Sequence, residues 1–153
     1  MKKRLKWILG VALVVMAALQ FTNPSLTNPN GRGDFLAAMQ PPPALAAEFR
    51  AACYDCHSDQ TRWPWYSRVA PVSWLIASDV SGGRHHLNFS EWPTNRPSWE
   101  AHRMADMSTE LDYNDMPPLQ YKIIHSKARL TKQQRQQLEG WLDAMARKLR
   151  KES

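Results

Sequence analysis

Cys53 and Cys56 are the only cysteines in the chain, and His57 directly follows the second in the stretch AACYDCHSDQ. Two thiols three apart with an adjacent imidazole admit three chemistries: a redox dithiol, half of a zinc site, or the covalent attachment site of a c-type haem. On a helix the three residues fall at relative angles of roughly 0°, 300° and 40°, so both sulfurs and the ring share one face. That arrangement suits a haem, with two thioether bonds to its vinyl groups and His57 as the proximal iron ligand. A redox pair belongs at a helix N-terminus within an alternating β/α pattern, where the dipole lowers a thiol pKa; here the pair closes a helical stretch. A zinc site needs four ligands, and His85, His86, His102 and His125 lack the spacing of a second half-site.

The elements that must position these groups can be followed along the chain. ALAAEFRAACYDCH places Leu45, Phe49, Ala52, Cys53 and Cys56 at helical spacing, so one amphipathic helix from Ala44 carries both thiols on its buried stripe. Pro64 and Pro71 then punctuate an aromatic loop. A short helix is expected over Val72 to Val80, ended by Gly82 and Gly83, and another from a Ser98 cap to about Leu111. Thr131 and Gln134 form a capping box for the last helix, whose apolar stripe is Leu138, Trp141, Leu142, Met145 and Leu149. Gly140 within it suggests a close approach to another helix. No alternating strand pattern and no repeat is visible, so the expected fold is all-α with long ordered loops. So much irregular backbone with a modest stock of Leu, Ile and Val calls for a large apolar object at the centre, which a haem would supply. Six of the seven tryptophans lie past the first segment and fit either haem walls or ordinary core.

The N-terminal MKKRLKWILGVALVVMAALQF has the layout of an export signal, with basic residues ahead of an apolar run from Trp7 to Phe21. Fifteen helical residues rise about 22 Å, short of the roughly 30 Å hydrocarbon core, which favours a cleaved signal. The missing small-x-small cleavage site and a snorkelling Lys6 favour an uncleaved signal-anchor. The expected location is the periplasmic side of a bacterial inner membrane, anchored there, or soluble if the signal is cleaved. The expected organisation is residues 1–22 as signal or anchor helix, 23–43 as a Pro/Asn-rich tether, and 44–150 as the haem-binding domain. Lys2, Lys3, Arg4 and Lys6 supply four of the formal six positive charges, leaving +2 for the exported part. Residues 127–153 hold eight Lys/Arg against three Asp/Glu, and residues 23–126 hold eight against eleven. The basic tail reads as a solvated face, or as a surface for an acidic redox partner or anionic lipid. Nucleic acid is not expected as a partner, since the chain reads as exported and no basic run is interleaved with aromatics.

Three longer stretches carry a resemblance. CYDCHSDQTRWPWY, APVSWLIASDVSGGRHHLNFSEW and MPPLQYKIIHSKARLTKQQRQQLEGW, together spanning most of residues 45–145, resemble the cytochrome c-like haem-binding domain family of exported bacterial proteins. The resemblance implies a single c-type haem on an all-α, cytochrome c-like fold, with Cys53 and Cys56 as thioether residues and His57 as proximal ligand. It specifies the cofactor more closely than the biological task. By the same resemblance a backbone carbonyl near Pro71 accepts the second N–H of His57, with Pro64 as a competitor.

For the sixth iron position the candidate is Met116, in a loop stiffened by Pro117 and Pro118 ahead of the last helix. Its ordinary reading is a packed or surface methionine. His85 and His86 are the rivals, since bis-His ligation would lower the potential. His102 and His125 read as helix-face residues with backbone or water partners. Trp65, Tyr66, Trp74 and Trp92 are candidates for the pocket walls, and Arg84 for a haem propionate or for a solvated loop position. The expected activity is single-electron transfer to a partner protein. The alternatives are a haem-based sensor or small peroxidase-like enzyme with an exchangeable sixth position, and a structural haem protein.

Overall fold

The computed structural model describes residues 2–152, and among them the fold is all-α. Eight α-helices follow in order: α1 Lys2–Leu19, α2 Phe35–Met39, α3 Pro43–Ala52, α4 Tyr54–His57, α5 Val72–His86, α6 Pro97–Asp112, α7 Leu119–Ile124 and α8 Lys132–Lys151. Short 3-10 turns lie at Gln20–Thr22, Trp65–Arg68, Phe89–Glu91 and Ser126–Ala128. α1 with its 3-10 extension covers Lys2–Thr22 at a mean hydropathy of 1.8, which makes it long and apolar enough to cross a membrane by length and composition. Those 21 residues rise about 31 Å. No residue of α1 is buried in the protein.

α6 and α8 form the main helix pair, and α3 packs against α8. The capping box of Thr131 and Gln134 closes the N-terminus of α8 in both directions, and Leu138, Leu142, Ala146 and Leu149 bury its stripe. Gly140 faces open space, so it marks no close helix approach. α6 starts at Pro97, one residue before the expected Ser98 cap, because the Glu100 carboxylate accepts the Arg96 N–H at 3.0 Å and closes the first turn.

Two boundaries differ from the sequence reading. The helix expected to run unbroken from Ala44 to His57 breaks at Cys53, whose backbone (φ −122°, ψ −39°) separates α3 from α4. The helix expected to end at Gly82 and Gly83 runs on to His86, its last turn closed by the Leu87 N–H on the Gly83 carbonyl at 2.9 Å.

The stretch 23–43, read as a tether, is part of the domain. Asp34 caps α2 by accepting the Ala37 N–H, and Phe35 then enters the centre of the core with no exposed surface. Its ring meets Phe49, Phe89 and Trp92 at centroid distances of 5.1, 4.8 and 4.7 Å, and Trp141 at 6.2 Å. Met104, Leu138 and Leu142 complete this fully buried centre. The domain therefore has an aromatic core of its own, and the loops are held by side chains that bond to backbone. Asn28 donates to the Thr61 carbonyl at 2.9 Å and Asn23 to the Arg68 carbonyl at 3.1 Å.

Phe35→Ala should cost about 3–5 kcal/mol, the range for truncating a fully buried phenylalanine. Urea unfolding of the full chain measures this, and a loss below about 1 kcal/mol, the level of a surface change, would restore the tether reading.

Candidate functional site

The break at Cys53 turns the motif out of the line of α3. Within α4 the His57 N–H closes one turn on the Cys53 carbonyl at 2.9 Å. α5 packs on α4. The contact is closest at Gly83, where an added Cβ would lie 2.6 Å from the Cys56 carbonyl oxygen. Because Gly83 has no side chain, the end of α5 comes down onto the motif, and Leu87 reaches the histidine. His57 Nδ1 stands 3.0 Å from the Leu87 carbonyl. A carbonyl only accepts, so Nδ1 carries the proton and the lone pair is left on Nε2. The orienting carbonyl is thus that of Leu87, not one near Pro71 or Pro64; Pro71 instead precedes α5 and Pro64 lines the cleft described below.

The surroundings keep the site uncharged. Burial lowers the His57 pKa, opposed by the carbonyls of Leu87 and Gly83, while His86 lowers it further and Glu110 raises it. The imidazole is therefore neutral, as an iron or zinc ligand must be. Burial pushes the Cys53 thiol up to about 12, with Cys56 adding to it. Cys56 is pushed up to about 11, again first by burial and then by Asp79 and Asp55. Such thiols are protonated at neutral pH, the reverse of a reactive redox cysteine.

The residues after the motif are locked in place. Arg84 donates to the Ser58 carbonyl at 2.8 Å, the Thr61 hydroxyl at 2.9 Å, the Thr27 carbonyl at 2.9 Å and the Asn28 side chain at 3.0 Å, and stands 3.6 Å from Asp59. Its guanidinium is thus spent on protein groups and joins residues 27–28 to 58–61; it is not directed at a ligand carboxylate. Asp55, between the two cysteines, accepts Arg62 Nε at 3.1 Å and Nη2 at 3.0 Å, and the Tyr121 hydroxyl at 2.7 Å. Burial, with that bond to Asp55, raises the Tyr121 pKa.

Beside the motif, a cleft runs between α5 and α7. Its walls include Cys56, Tyr66, Val72, Leu75, Ile76, Val80, Tyr121, Ile124 and His125. Open solvent at its mouth included, it holds about 650 Å³. Of the residues expected around a ligand, Tyr66 is in the wall, and its hydroxyl lies 3.0 Å from His125 Nε2. Trp65 is exposed, Trp74 donates to the Thr22 carbonyl at 3.1 Å, and Trp92 is buried against Phe35 and Trp99 in the core. His85 and His86 sit exposed in the last turn of α5, and His102 pairs with Asp106 on the surface of α6 at 3.6 Å.

Met116 is 39% exposed, in the loop between α6 and α7. That loop is anchored: Asn114 takes the left-handed backbone (φ 56°), its side chain accepts from Arg135, and the Asp115 and Met116 N–H groups reach the Glu110 carbonyl at 3.1 and 3.4 Å. Met116 stands outside the cleft wall. It does adjoin Glu110, the residue whose charge acts on His57.

The donors gathered here are two un-ionised thiols and a neutral imidazole with Nε2 free, beside a cleft of carbon walls beginning at Cys56. The family model described as a haem-binding domain matches residues 14–144. The chain belongs to the haem-binding domain family. Neither the curated proteins nor the solved structures hold a match to it. The family match reaches from within α1 to α8, so it takes in the 23–43 segment that the core also claims. Sequence reasoning missed Leu87, Gly83, and the Asp55–Arg62–Tyr121 group. A backbone carbonyl leaves no mark in the sequence, but a glycine inside a helix does signal close approach, and Gly83 was open to that reading.

Gly83→Ala should destabilise the domain by at least about 1 kcal/mol and lower the yield of haem-loaded protein, since the new methyl group meets backbone. Its neighbour Gly82 has open space, so Gly82→Ala should be neutral or stabilise by up to about 1 kcal/mol. Thermal unfolding and the haem-to-protein absorbance ratio of the two variants test the pair, and equal behaviour would remove the role given to Gly83.

Proposed function

We propose that the chain is a single-electron carrier with one covalently attached c-type haem, held at the periplasmic face of a bacterial inner membrane by α1. Cys53 and Cys56 form the thioethers, His57 is the proximal ligand and Met116 the sixth. The observation that carries the reading is the Nδ1 bond of His57 to the Leu87 carbonyl, directly after a C-x-x-C pair in a haem-binding chain. A metal-ligating histidine characteristically donates its other ring N–H to such an acceptor, which sets the tautomer and the ring plane.

When bound, haem c supplies a one-electron iron couple whose potential depends on its axial ligands and on burial. The chain's own residues supply the rest. Leu87 holds the ring of His57, burial keeps that ring neutral, and Val72, Leu75, Ile76 and Val80 give the cleft an apolar wall. Asp55, clamped by Arg62 and Tyr121, fixes the turn between the two thiols. Met116 is presented by a loop tied to α6 through Glu110 and to α8 through Arg135, which suits a weak thioether bond that must persist.

A second reading, an exchangeable sixth position serving as a sensor or peroxidase-like site, is favoured by one observation. Met116 is exposed, whereas His125 with its Tyr66 partner faces the cleft.

The carrier reading predicts haem that stays with the polypeptide after denaturation, a low-spin reduced spectrum, and a weak far-red thioether-to-iron band in the oxidised form. Met116→Ala should lose that band while retaining haem; persistence of the band would sink the assignment. Carbon monoxide added to the reduced wild-type protein separates the two readings. Immediate, complete binding supports the exchangeable site, and resistance supports the carrier.

A further inference from the structure

We propose that the domain lies directly against the bilayer crossed by α1, seated on the lipid headgroups by Phe21, Trp65, Val69 and Trp74. The inference rests on reading α1 as a membrane span. It adds a second lipid contact, on the surface of the haem-binding domain itself.

The first observation is the joint. The Gln20 amide makes a pair of bonds with one backbone residue, Nε2 donating to the Ala70 carbonyl at 3.3 Å and Oε1 accepting the Ala70 N–H at 3.1 Å. Asn23 donates to the Arg68 carbonyl at 3.1 Å and accepts from the Ser73 hydroxyl at 2.5 Å. Between them, the Thr22 carbonyl accepts the indole N–H of Trp74 at 3.1 Å. A flexible leash needs a run of residues without such bonds, and here the domain grips the chain from the last turn of the helix onward. Wherever the end of α1 stands, the 3-10 turn Trp65–Arg68 and the start of α5 stand beside it.

The second observation is what surrounds that joint. Phe21 is 92% exposed, Trp65 77%, Trp74 39% and Val69 38%. Val72, Leu75 and Ile124 are also exposed but line the cleft, where a bound macrocycle accounts for them. The other four line no wall of that cleft. Two tryptophans and a phenylalanine gathered at the end of an apolar helix have the chemistry of the interfacial aromatic belt, where apolar ring bodies lie at the headgroup region; the N–H of Trp74 is already given to the Thr22 carbonyl, so its part is the ring alone. Arg68, exposed in the same 3-10 turn, supplies a cation at the depth of the phosphates. The polarity agrees: Lys2, Lys3, Arg4 and Lys6 mark the cytoplasmic end of α1, which puts Thr22 and the joint at the opposite surface.

The test uses the full-length, haem-loaded protein in vesicles of phosphatidylethanolamine and phosphatidylglycerol. With both native cysteines taken up by the haem as proposed above, a single nitroxide label can be placed by Trp65→Cys, by Val69→Cys, or by Gln137→Cys on α8 as the control. All three positions are exposed, so folding is preserved, and the haem spectrum checks it. Labels at 65 and 69 should become shielded from a water-soluble nickel chelate and open to oxygen once in vesicles, while the label at 137 stays open to the chelate. Co-flotation with the vesicles is read on the same samples. Protein that floats with labels at 65 and 69 fully open to the chelate overturns the docking and leaves the span intact. Protein that fails to float overturns the span and the docking together.

Discussion

The contact on which the site depends is the approach of Gly83 to the carbonyl of Cys56. A methyl group there would meet backbone, so the distance between α4 and α5 is set by the absence of a side chain. Everything that orients the motif follows from that distance. It brings the Leu87 carbonyl to His57, sends Arg84 into the turn at Ser58–Thr61, and places Asp79 close enough to act on Cys56. A helix packed one side-chain layer further out would leave the imidazole free to rotate and the turn without its clamp.

Burial has opposite effects on reactivity at the two ends of the motif. It raises the thiol pKa values and lowers that of the imidazole, and all three groups are thereby held neutral. Neutral thiols are slow nucleophiles and poor redox partners, while a neutral imidazole is ready to bind metal. The same environment thus argues against dithiol chemistry and for a ligand. The carbon-lined cleft beginning at Cys56 extends this logic, since an apolar wall beside a neutral imidazole suits a flat apolar ligand.

How much of this was legible in the sequence depended on whether the signal lay in side chains. The capping box at Thr131 and Gln134 and the stripe of α8 read directly, because each is a local rule with residues of the right type. The all-α class followed from the same periodicity. Phe35 was misplaced because Asn, Pro and Gly around it have the composition of a linker, yet the asparagines serve as backbone partners and the phenylalanine as the core's central ring. The glycine pair in α5 has the look of a stop, yet Gly83 is a contact point and the helix runs past it to His86. Arg84 offered a guanidinium to a ligand on paper, and only the fold reveals four protein acceptors around it. The carbonyl of Leu87 had no side-chain signature at all.

The same lesson governs the relation between domain and anchor. A proline- and asparagine-rich stretch after an apolar helix is ordinarily a spacer, and a spacer makes a domain's orientation a matter of diffusion. In this chain Gln20, Thr22 and Asn23 are bonded to residues 68–74, so the orientation of α1 is transmitted to the turn that precedes α5. α5 in turn carries one wall of the cleft and the glycine on which the motif rests. One continuous chain of contacts therefore links α1 to the imidazole of His57. Whatever holds α1 therefore holds the cleft in a fixed aspect, without the freedom that a flexible spacer would give.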